Sequence, residues 1–377
     1  MKNNFSFELH QEDGMARRGT ITTPHGRIET PIFMPVGTCG SVKSLAPDDL
    51  HAVNTQIILG NTYHLMLRPG EELVAKMGGL HEFISWDRPI LTDSGGFQIF
   101  SLGTDKKDSL VKIDEDGVTF KSFIDGSKHR VTPERSMDIQ MKLGADFIMA
   151  FDQCPQGKAE KHEVVRAMER TTAWLSRCEQ SMTRENSRLL GIIQGGVFDD
   201  LRAEHAQEIC SRDLFGFAVG GLSVGEAKED MWRALAATTP HMPREKTRYL
   251  MGVGTPDDLL DGIALGVDMF DCVMPTRNAR NATLFTHKGK ISIKNAAFRE
   301  DRGPLDDRCN CYTCRTFSRA YLRHLYVSSE LLFFRLASLH NVAYYLQLMN
   351  DARQAISEKR FASFRKERKE AHANEIF

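Results

Sequence analysis

Residues 189–194 read Leu189-Leu190-Gly191-Ile192-Ile193-Gln194. The run has no polar break until the carboxamide that ends it. A strand with one wet face alternates apolar and polar residues; an unbroken apolar run fits a strand covered on both faces, as in a parallel sheet. The next such run, Phe215-Gly216-Phe217-Ala218-Val219-Gly220, follows a helix-compatible stretch. Working outward, the unit recurs at Pro31–Val36, Gln56–Asn61, Pro89–Asp93, Phe147–Asp152, Arg248–Gly252 and Val267–Asp271. Most spacings are about 20–45 residues, the length of a strand–helix unit. These runs predict an α/β chain folded as a (β/α)8 TIM barrel. The one long gap, from Asp93 to Phe147, holds a Lys/Asp-rich, hairpin-like insertion around 103–130. Ahead of the first run, Phe5–Leu9 and Gly19–Thr23 read as an N-terminal antiparallel cap.

A chain of 377 residues is long enough for such a barrel plus an addition. A 41% hydrophobic and 26% charged composition excludes dominant disorder. No apolar run approaches the roughly 18–20 residues that span a bilayer. The first eight residues lack the apolar region of a signal peptide. Eight cysteines in so long a chain do not make a disulfide framework, and the expected compartment is a reducing cytoplasm.

The net charge of −1 argues against a nucleic-acid partner only if it is evenly spread. It is not. Between Arg277 and Arg323, eleven basic residues face four acidic ones, a balance of +7 that leaves −8 on the rest. A second basic stretch, Lys359–Lys369, reads as a solvated helix face.

Barrel chemistry sits at the C-terminal ends of the strands. Those ends carry Asn61, Asp93, Asp152, Gln194, Gly220-Gly221, Gly252 and Asp271. Asp93 lies in Thr92-Asp93-Ser94-Gly95-Gly96-Phe97-Gln98 and reads either as a helix cap or as a general acid/base beside exposed N–H groups. Asp271 precedes a Pro-containing, Arg-rich loop, Thr276-Arg277-Asn278-Ala279-Arg280, whose arginines could simply hold it. Two carboxylates on one rim resemble the pair used at glycosidic bonds, and the basic tract after Asp271 suggests a substrate with phosphates. The most specific local signal is Cys309-Asn310-Cys311-Tyr312-Thr313-Cys314, completed by His340 in a helix predicted over Leu331–Met349. Three thiolates and an imidazole make a closed, structural zinc site. His324 competes as fourth ligand, and clustered free thiols are the bland alternative.

Six motifs together carry a resemblance. They are Asp93–Gln98, Gly191–Gly196, Val219–Glu226, Tyr249–Gly254, Asp271–Arg280 and the Cys309/Cys311/Cys314/His340 set. In order and spacing, from about Phe33 to Met349, the chain resembles the bacterial tRNA-guanine transglycosylases, also called queuine tRNA-ribosyltransferases. The resemblance implies a base exchange at wobble position 34 of GUN-anticodon tRNAs, those for Asp, Asn, His and Tyr, in queuosine biosynthesis. Asp271 matches the nucleophile that attacks C1′ and expels guanine, forming a covalent ribosyl-tRNA intermediate. Asp93 matches the general acid/base. Asp152, Gln194 and Gly221 match positions that read the base edge, with Ser94, Gly95, Gly96 and Leu222 beside them, and Phe97 and Met251 sandwich the ring. The segments Gly252, Val253, Gly254, Thr255, Pro256, Asp257, Asp258 and Thr276, Arg277, Asn278, Ala279, Arg280 match those that hold neighbouring nucleotides. One structural Zn2+ per subunit is implied, and so is a homodimer.

Cys154 and Val224 resemble the bacterial type that takes preQ1; queuine users tend to have Gly where Val224 stands. The Pro155–Glu160 segment departs from the family's common version. The expected organisation is a single catalytic domain over 1–377, with a zinc-binding subdomain at 296–345 inserted near the end of the barrel. Two other incoming readings stay open: queuine in place of preQ1, and a non-catalytic tRNA-binding subunit. A small-molecule glycosidase on the same barrel leaves the Arg-rich and zinc features unexplained.

Overall fold

The structure, a computed structural model, describes residues 5–103 and 111–373. Eight parallel strands close a barrel: β4 (Ile32–Gly37), β5 (Ile58–Gly60), β6 (Ile90–Thr92), β10 (Phe147–Met149), β11 (Arg188–Ile193), β12 (Gly216–Val219), β13 (Thr247–Leu250) and β14 (Met269–Cys272). They pair in chain order, and β14 closes on β4 with Asp271 opposite Met34. All eight apolar runs are strands, so the predicted barrel stands.

The alternation hidden inside those runs explains their composition. Ile32, Met34, Leu59, Leu91, Phe147, Met149, Leu190, Ile192, Ala218, Tyr249 and Met269 share one cluster inside the barrel. Their neighbours Phe33, Ile148, Leu189, Ile193 and Phe217 belong to the outer cluster under the helices. Each buried side chain of this size stabilises by about 1.5–3 kcal/mol. The cap strands β1 (Ser6–Asp13), β2 (Ala16–Thr23) and β3 (Gly26–Thr30) form an antiparallel sheet. Phe5, Ile21 and Ile28 join the interior cluster, so the cap plugs the N-terminal end of the barrel. That leaves the opposite, C-terminal rim for chemistry.

The insertion after β6 is a three-stranded antiparallel sheet, β7 (Lys112–Asp114), β8 (Gly117–Lys121) and β9 (Lys128–Val131), rather than one hairpin. Residues 104–110 of the expected insertion lie outside the described residues. After β14, the hairpin β15 (Thr283–Thr286) and β16 (Gly289–Ser292) and two short helices, Tyr312–Thr316 and Arg319–Val327, build a third apolar cluster. The helix Leu331–Ser357, eight residues longer than its sequence pattern suggested, packs that cluster against β4. Among the described residues no helix is long and apolar enough to cross a membrane.

Candidate active site

Asp93 follows β6 and is buried. Its Oδ2 accepts from Asn61 Nδ2 at 2.5 Å; its Oδ1 accepts from the Thr62 and Gly95 N–H groups at 3.0 and 3.1 Å. Asn61 is held in turn, because its Oδ1 caps the helix Thr62–Leu67 through the His64 N–H. Burial, aided by the nearby Asp271 charge, raises the Asp93 carboxyl to about 7 against the opposing pull of those donors. Asp93 also keeps part of the capping role open to it, since it accepts the Gly95 N–H just ahead of the helix Gly96–Gly103 while its carboxylate lines the cavity.

Asp271 sits on β14, and its Oδ1 accepts from the Tyr249 hydroxyl at 2.5 Å and the Gly252 N–H at 2.7 Å. Among the described residues no arginine hydrogen-bonds it; its partners are Tyr249 and Gly252 instead. Burial raises its carboxyl too, and these two donors oppose that. Both carboxylates line one cavity of about 180 Å3, together with Phe97, Asp152, Gly221 and Met251. Two acids from strands far apart in sequence meet because the barrel closes β14 beside β4 and places β6 two strands on.

The cavity floor is polar and tightly fitted. Asp152, just past β10, accepts from Gln194 Nε2 at 2.6 Å and Ser94 Oγ at 3.3 Å, and burial lifts it to about 6. Gln194 Oε1 is buried and has no hydrogen-bond partner among the described residues. A Cβ on Gly221, whose φ is +66°, would collide with that oxygen; one on Gly220 would stand 2.9 Å from Nε2. A Cβ on Gly96 would come within 3.0 Å of the Asp152 carbonyl. Ser94, Gly95 and Leu222 line or border the floor, all buried, whereas Phe97 stands 46% exposed at the mouth. Cys154 and Val224 line the same cavity.

The segments expected to meet neighbouring nucleotides divide by exposure. Gly252 and Arg277 are exposed; Thr255, Asp257, Asn278 and Arg280 are half-buried. Val253, Gly254, Pro256, Asp258, Thr276 and Ala279 are buried. Thr255 caps the helix Pro256–Ala264 in a box with Asp258, which also pairs with Lys228 at 2.6 Å. Asp257 bonds His372 at 2.6 Å, and the Tyr345 hydroxyl donates to Gly254 O at 3.1 Å. Ala279 belongs to the apolar cluster after the barrel. The Arg280 Nη1 is buried and has no hydrogen-bond partner among the described residues, and Arg277 sits one helical turn before it.

Some functional contacts went unread in the sequence. Neither Tyr249 nor Asn61 stands out in the sequence as a partner of the two acids. Tyr249 carried one signal: a lone phenol at an interior-facing strand position, which needs a partner when buried.

Behind the site, Cys309, Cys311, Cys314 and His340 bring their ligand atoms within 4.8 Å of one another. His340 is buried, with Nδ1 at 3.2 Å from Cys314 Sγ and 3.7 Å from Cys311 Sγ. Its Nε2 donates to Phe285 O at 2.7 Å, which fixes the tautomer that turns Nδ1 to the sulfurs. Three sulfurs and one nitrogen make a soft tetrahedral donor set that fits a zinc ion. His324 stacks on Tyr321 and takes no part. A second cluster, His25, His81 and Asp146, is a clamp. Its two rings stack at 3.7 Å and 15°, so an ion shared by both would lie out of both ring planes.

The queuine tRNA-ribosyltransferase family model matches residues 12–374. A queuine tRNA-ribosyltransferase of Herpetosiphon aurantiacus is 56% identical over 96% of this chain and 91% of its own. One from Nitratidesulfovibrio vulgaris is 54% identical over 98% of both chains, and one from Fusobacterium nucleatum 50% over 97% of both. With the paired acids, the fitted pocket and the Cys3His cluster in place, the chain belongs to the queuine tRNA-ribosyltransferase family.

Proposed function

We propose that this enzyme exchanges guanine at wobble position 34 of GUN-anticodon tRNAs for preQ1, in queuosine biosynthesis. The observation that carries the proposal is the pairing of Asp93 and Asp271 in one small cavity: burial makes Asp93 protonatable near neutral pH although both its oxygens accept hydrogen bonds, whereas the donors to Asp271 fall on one oxygen alone. An Asp271 oxygen attacks C1′. The C1′–N9 bond breaks, its electron pair stays on guanine, and Asp93, titrating near 7, supplies the proton. Asp93 then takes the N9 proton of the incoming 7-deazaguanine, which attacks C1′ and releases Asp271. Two displacements retain configuration, as in the retaining glycosidases, and the RNA backbone stays intact.

Asp152, Gln194 and Gly221 read the base edge, with Ser94, Gly95, Gly96 and Leu222 shaping the floor and Phe97 and Met251 enclosing the ring. A pocket of paired polar groups rejects bases that leave them unpaired. Val224 and Cys154 beside the ring favour preQ1 over queuine, whose cyclopentenediol needs the room of a Gly. The anticodon loop, already single-stranded, yields its base cheaply. Gly252 to Asp258 and Thr276 to Arg280 hold its neighbours, with Arg277 and Arg280 as the phosphate or base contacts.

Cys309, Cys311, Cys314 and His340 would hold one Zn2+ per subunit, which would tie together the subdomain at 296–345 within a single domain of 1–377. Four protein ligands would leave such an ion no open position, so its contribution would be structural. Homodimer formation is supported by exposed Tyr312, Tyr321, Val327 and Leu331 on that subdomain. The enzyme works in the cytoplasm on the tRNAs for Asp, Asn, His and Tyr. The test is incorporation of radiolabelled guanine into unmodified tRNA-Tyr by zinc-loaded protein. No incorporation overturns the reading and returns the chain to a tRNA-binding subunit; a higher kcat/KM for queuine than for preQ1 overturns the choice of base.

A further inference from the structure

Beneath the base pocket lies a buried cation that the reaction steps do not use. Arg202, in the first turns of the helix Asp199–Cys210, is fully enclosed. Its Nε donates to Gly196 O at 2.7 Å, its Nη1 to Gly220 O at 2.9 Å and Ile193 O at 3.2 Å, and its Nη2 to Gly221 O at 3.4 Å. All four acceptors are backbone carbonyls at the C-terminal ends of β11 and β12. Among the described residues its hydrogen-bond partners include no carboxylate, and the Glu226 charge acts on it only weakly. Burial lowers its pKa to about 10, so it stays charged at neutral pH. A buried guanidinium without an acid carries a heavy desolvation penalty, and a fold that only needed packing there would be better served by an apolar side chain.

Its acceptors are chosen with respect to the pocket. The Gly220 carbonyl belongs to the same peptide group as the Gly221 N–H, and the Ile193 carbonyl to the same group as the Gln194 N–H. When a cation binds an amide oxygen, the N–H of that amide becomes a stronger donor. The Gln194 N–H donates at 2.8 Å to Nδ1 of His205, three residues along the same helix. Burial and the Arg202 charge hold His205 at about 4, so it stays neutral and able to accept. One helix therefore grips the Gln194 backbone from both sides of its peptide. The Gly221 N–H remains at the cavity, facing the Cys154 sulfur.

We infer that Arg202 is a positioning residue for base recognition: it locks the Gln194–Gly196 turn to Gly220–Gly221 and strengthens the Gly221 N–H as a donor to an exocyclic oxygen of the bound base. The inference rests on the base-exchange reading above. It also gives the cation a part in catalysis through the pocket, since the base leaves with the electron pair of the C1′–N9 bond and a fixed positive charge below it stabilises that developing anion.

The experiment compares zinc-loaded wild type, Arg202→Lys and Arg202→Gln. It measures KM for guanine, KM for tRNA, and inhibition by 2,6-diaminopurine, which carries an amino group where guanine has the oxygen. Arg202→Lys keeps the charge but loses the fork, so KM for guanine rises about tenfold while KM for tRNA stays within about twofold. The preference for guanine over 2,6-diaminopurine falls by a similar factor, about tenfold, because only the oxygen acceptor loses its strengthened donor. Arg202→Gln shows a larger loss that includes kcat; if it fails to fold, Arg202→Lys decides alone. A folded Arg202→Lys with wild-type guanine KM and base preference overturns the inference, and so does an equal loss toward both bases and tRNA. A wild type that incorporates no guanine overturns the base-exchange reading instead, before any variant is compared.

Discussion

The Tyr249 hydroxyl donates to Asp271 Oδ1 at 2.5 Å, and the Gly252 N–H donates to the same oxygen at 2.7 Å. Both donors fall on one oxygen, and no partner of Oδ2 exists among the described residues. The carboxylate is thereby turned so that one oxygen is anchored and the other is free to attack. Tyr249 reaches this position from the barrel interior, where its ring packs with Met34 and Met269 in the cluster closed below by the cap.

Removing that anchor should be felt as a pH effect. Burial raises Asp271 and the Tyr249 hydrogen bond lowers it, so Tyr249→Phe leaves the raising influence less opposed. The acid limb of the rate of covalent adduct formation should move to higher pH, with about a tenfold loss at neutral pH that shrinks in alkali. Single-turnover adduct formation across pH measures it. An acid limb in the wild-type position means that Tyr249 does not act on the nucleophile, and an adduct that survives Asp271→Ala means that Asp271 is not the nucleophile.

Asp93 makes a prediction about stability. It titrates at about 7 in the fold, whereas a carboxyl in the unfolded chain titrates near 4. The folded state thus holds the proton more tightly. The stabilisation from this group is full below about pH 4 and is lost as pH rises through 7. Asp93→Asn removes the charge and should be inactive but more stable than wild type at pH 8 by about 1–2 kcal/mol, the gain shrinking toward pH 5. The full linkage figure of about 4 kcal/mol is not reached, because one amide nitrogen of the new side chain meets Asn61 Nδ2, itself a donor. Urea unfolding at both pH values tests this; an equal gain at both would mean that Asp93 is not strained by its charge.

What was readable in the sequence, and what was not, follows from distance along the chain. The strands were readable because burial on both faces leaves an unbroken apolar run, a local property. Asp93 and Asp271 were readable because each ends such a run and sits in a long motif. Asn61 and Tyr249 act on these acids across 32 and 22 residues, and only the parallel pairing of successive strands, β5 with β6 and β13 with β14, brings them near. Arg202 carries no signal in the sequence, because its four partners are backbone carbonyls without a side-chain signature. His324 and His340 could not be ranked by spacing from the cysteines; the Phe285 carbonyl that orients His340 lies on a hairpin 55 residues earlier. The third strand of the insertion was missed because its sequence, Lys128–Val131, is mostly polar.

Gly221 should tolerate no side chain. Its φ of +66° disfavours any L residue, and a Cβ there meets Gln194 Oε1. Gln194 has little freedom to retreat, because its Nε2 is committed to Asp152 at 2.6 Å. Gly221→Ala should raise KM for guanine by at least about tenfold while melting within a few degrees of wild type, since the strain is confined to the cavity wall. Steady-state kinetics with guanine as the varied substrate decide it. A guanine KM equal to that of wild type would place the base elsewhere than against Gly221.

The Cys3His cluster predicts a link between metal and folding rather than between metal and chemistry. His340 lies in the helix that packs the subdomain against β4; Cys311 immediately precedes the short helix Tyr312–Thr316 and Cys314 lies within it, and the Thr313 hydroxyl of that helix donates to Leu336 O at 2.7 Å. An ion held by all four residues would tie the hairpin, the short helix and the long helix together. Cys311→Ser should lose that ion and destabilise by about 3 kcal/mol or more, and a strong chelator should bring wild type to the same lower Tm. The two treatments should not add, since both remove one tie. Activity should fall with the unfolding of the basic tract, not with any change in the acid limb set by Asp271, because the cluster keeps no open ligand position facing the cavity. Metal content and Tm measured together are decisive. A stoichiometric metal in Cys311→Ser would mean that the ligand set is wrong, and an altered pH profile in metal-depleted but folded enzyme would mean that the ion reaches the chemistry.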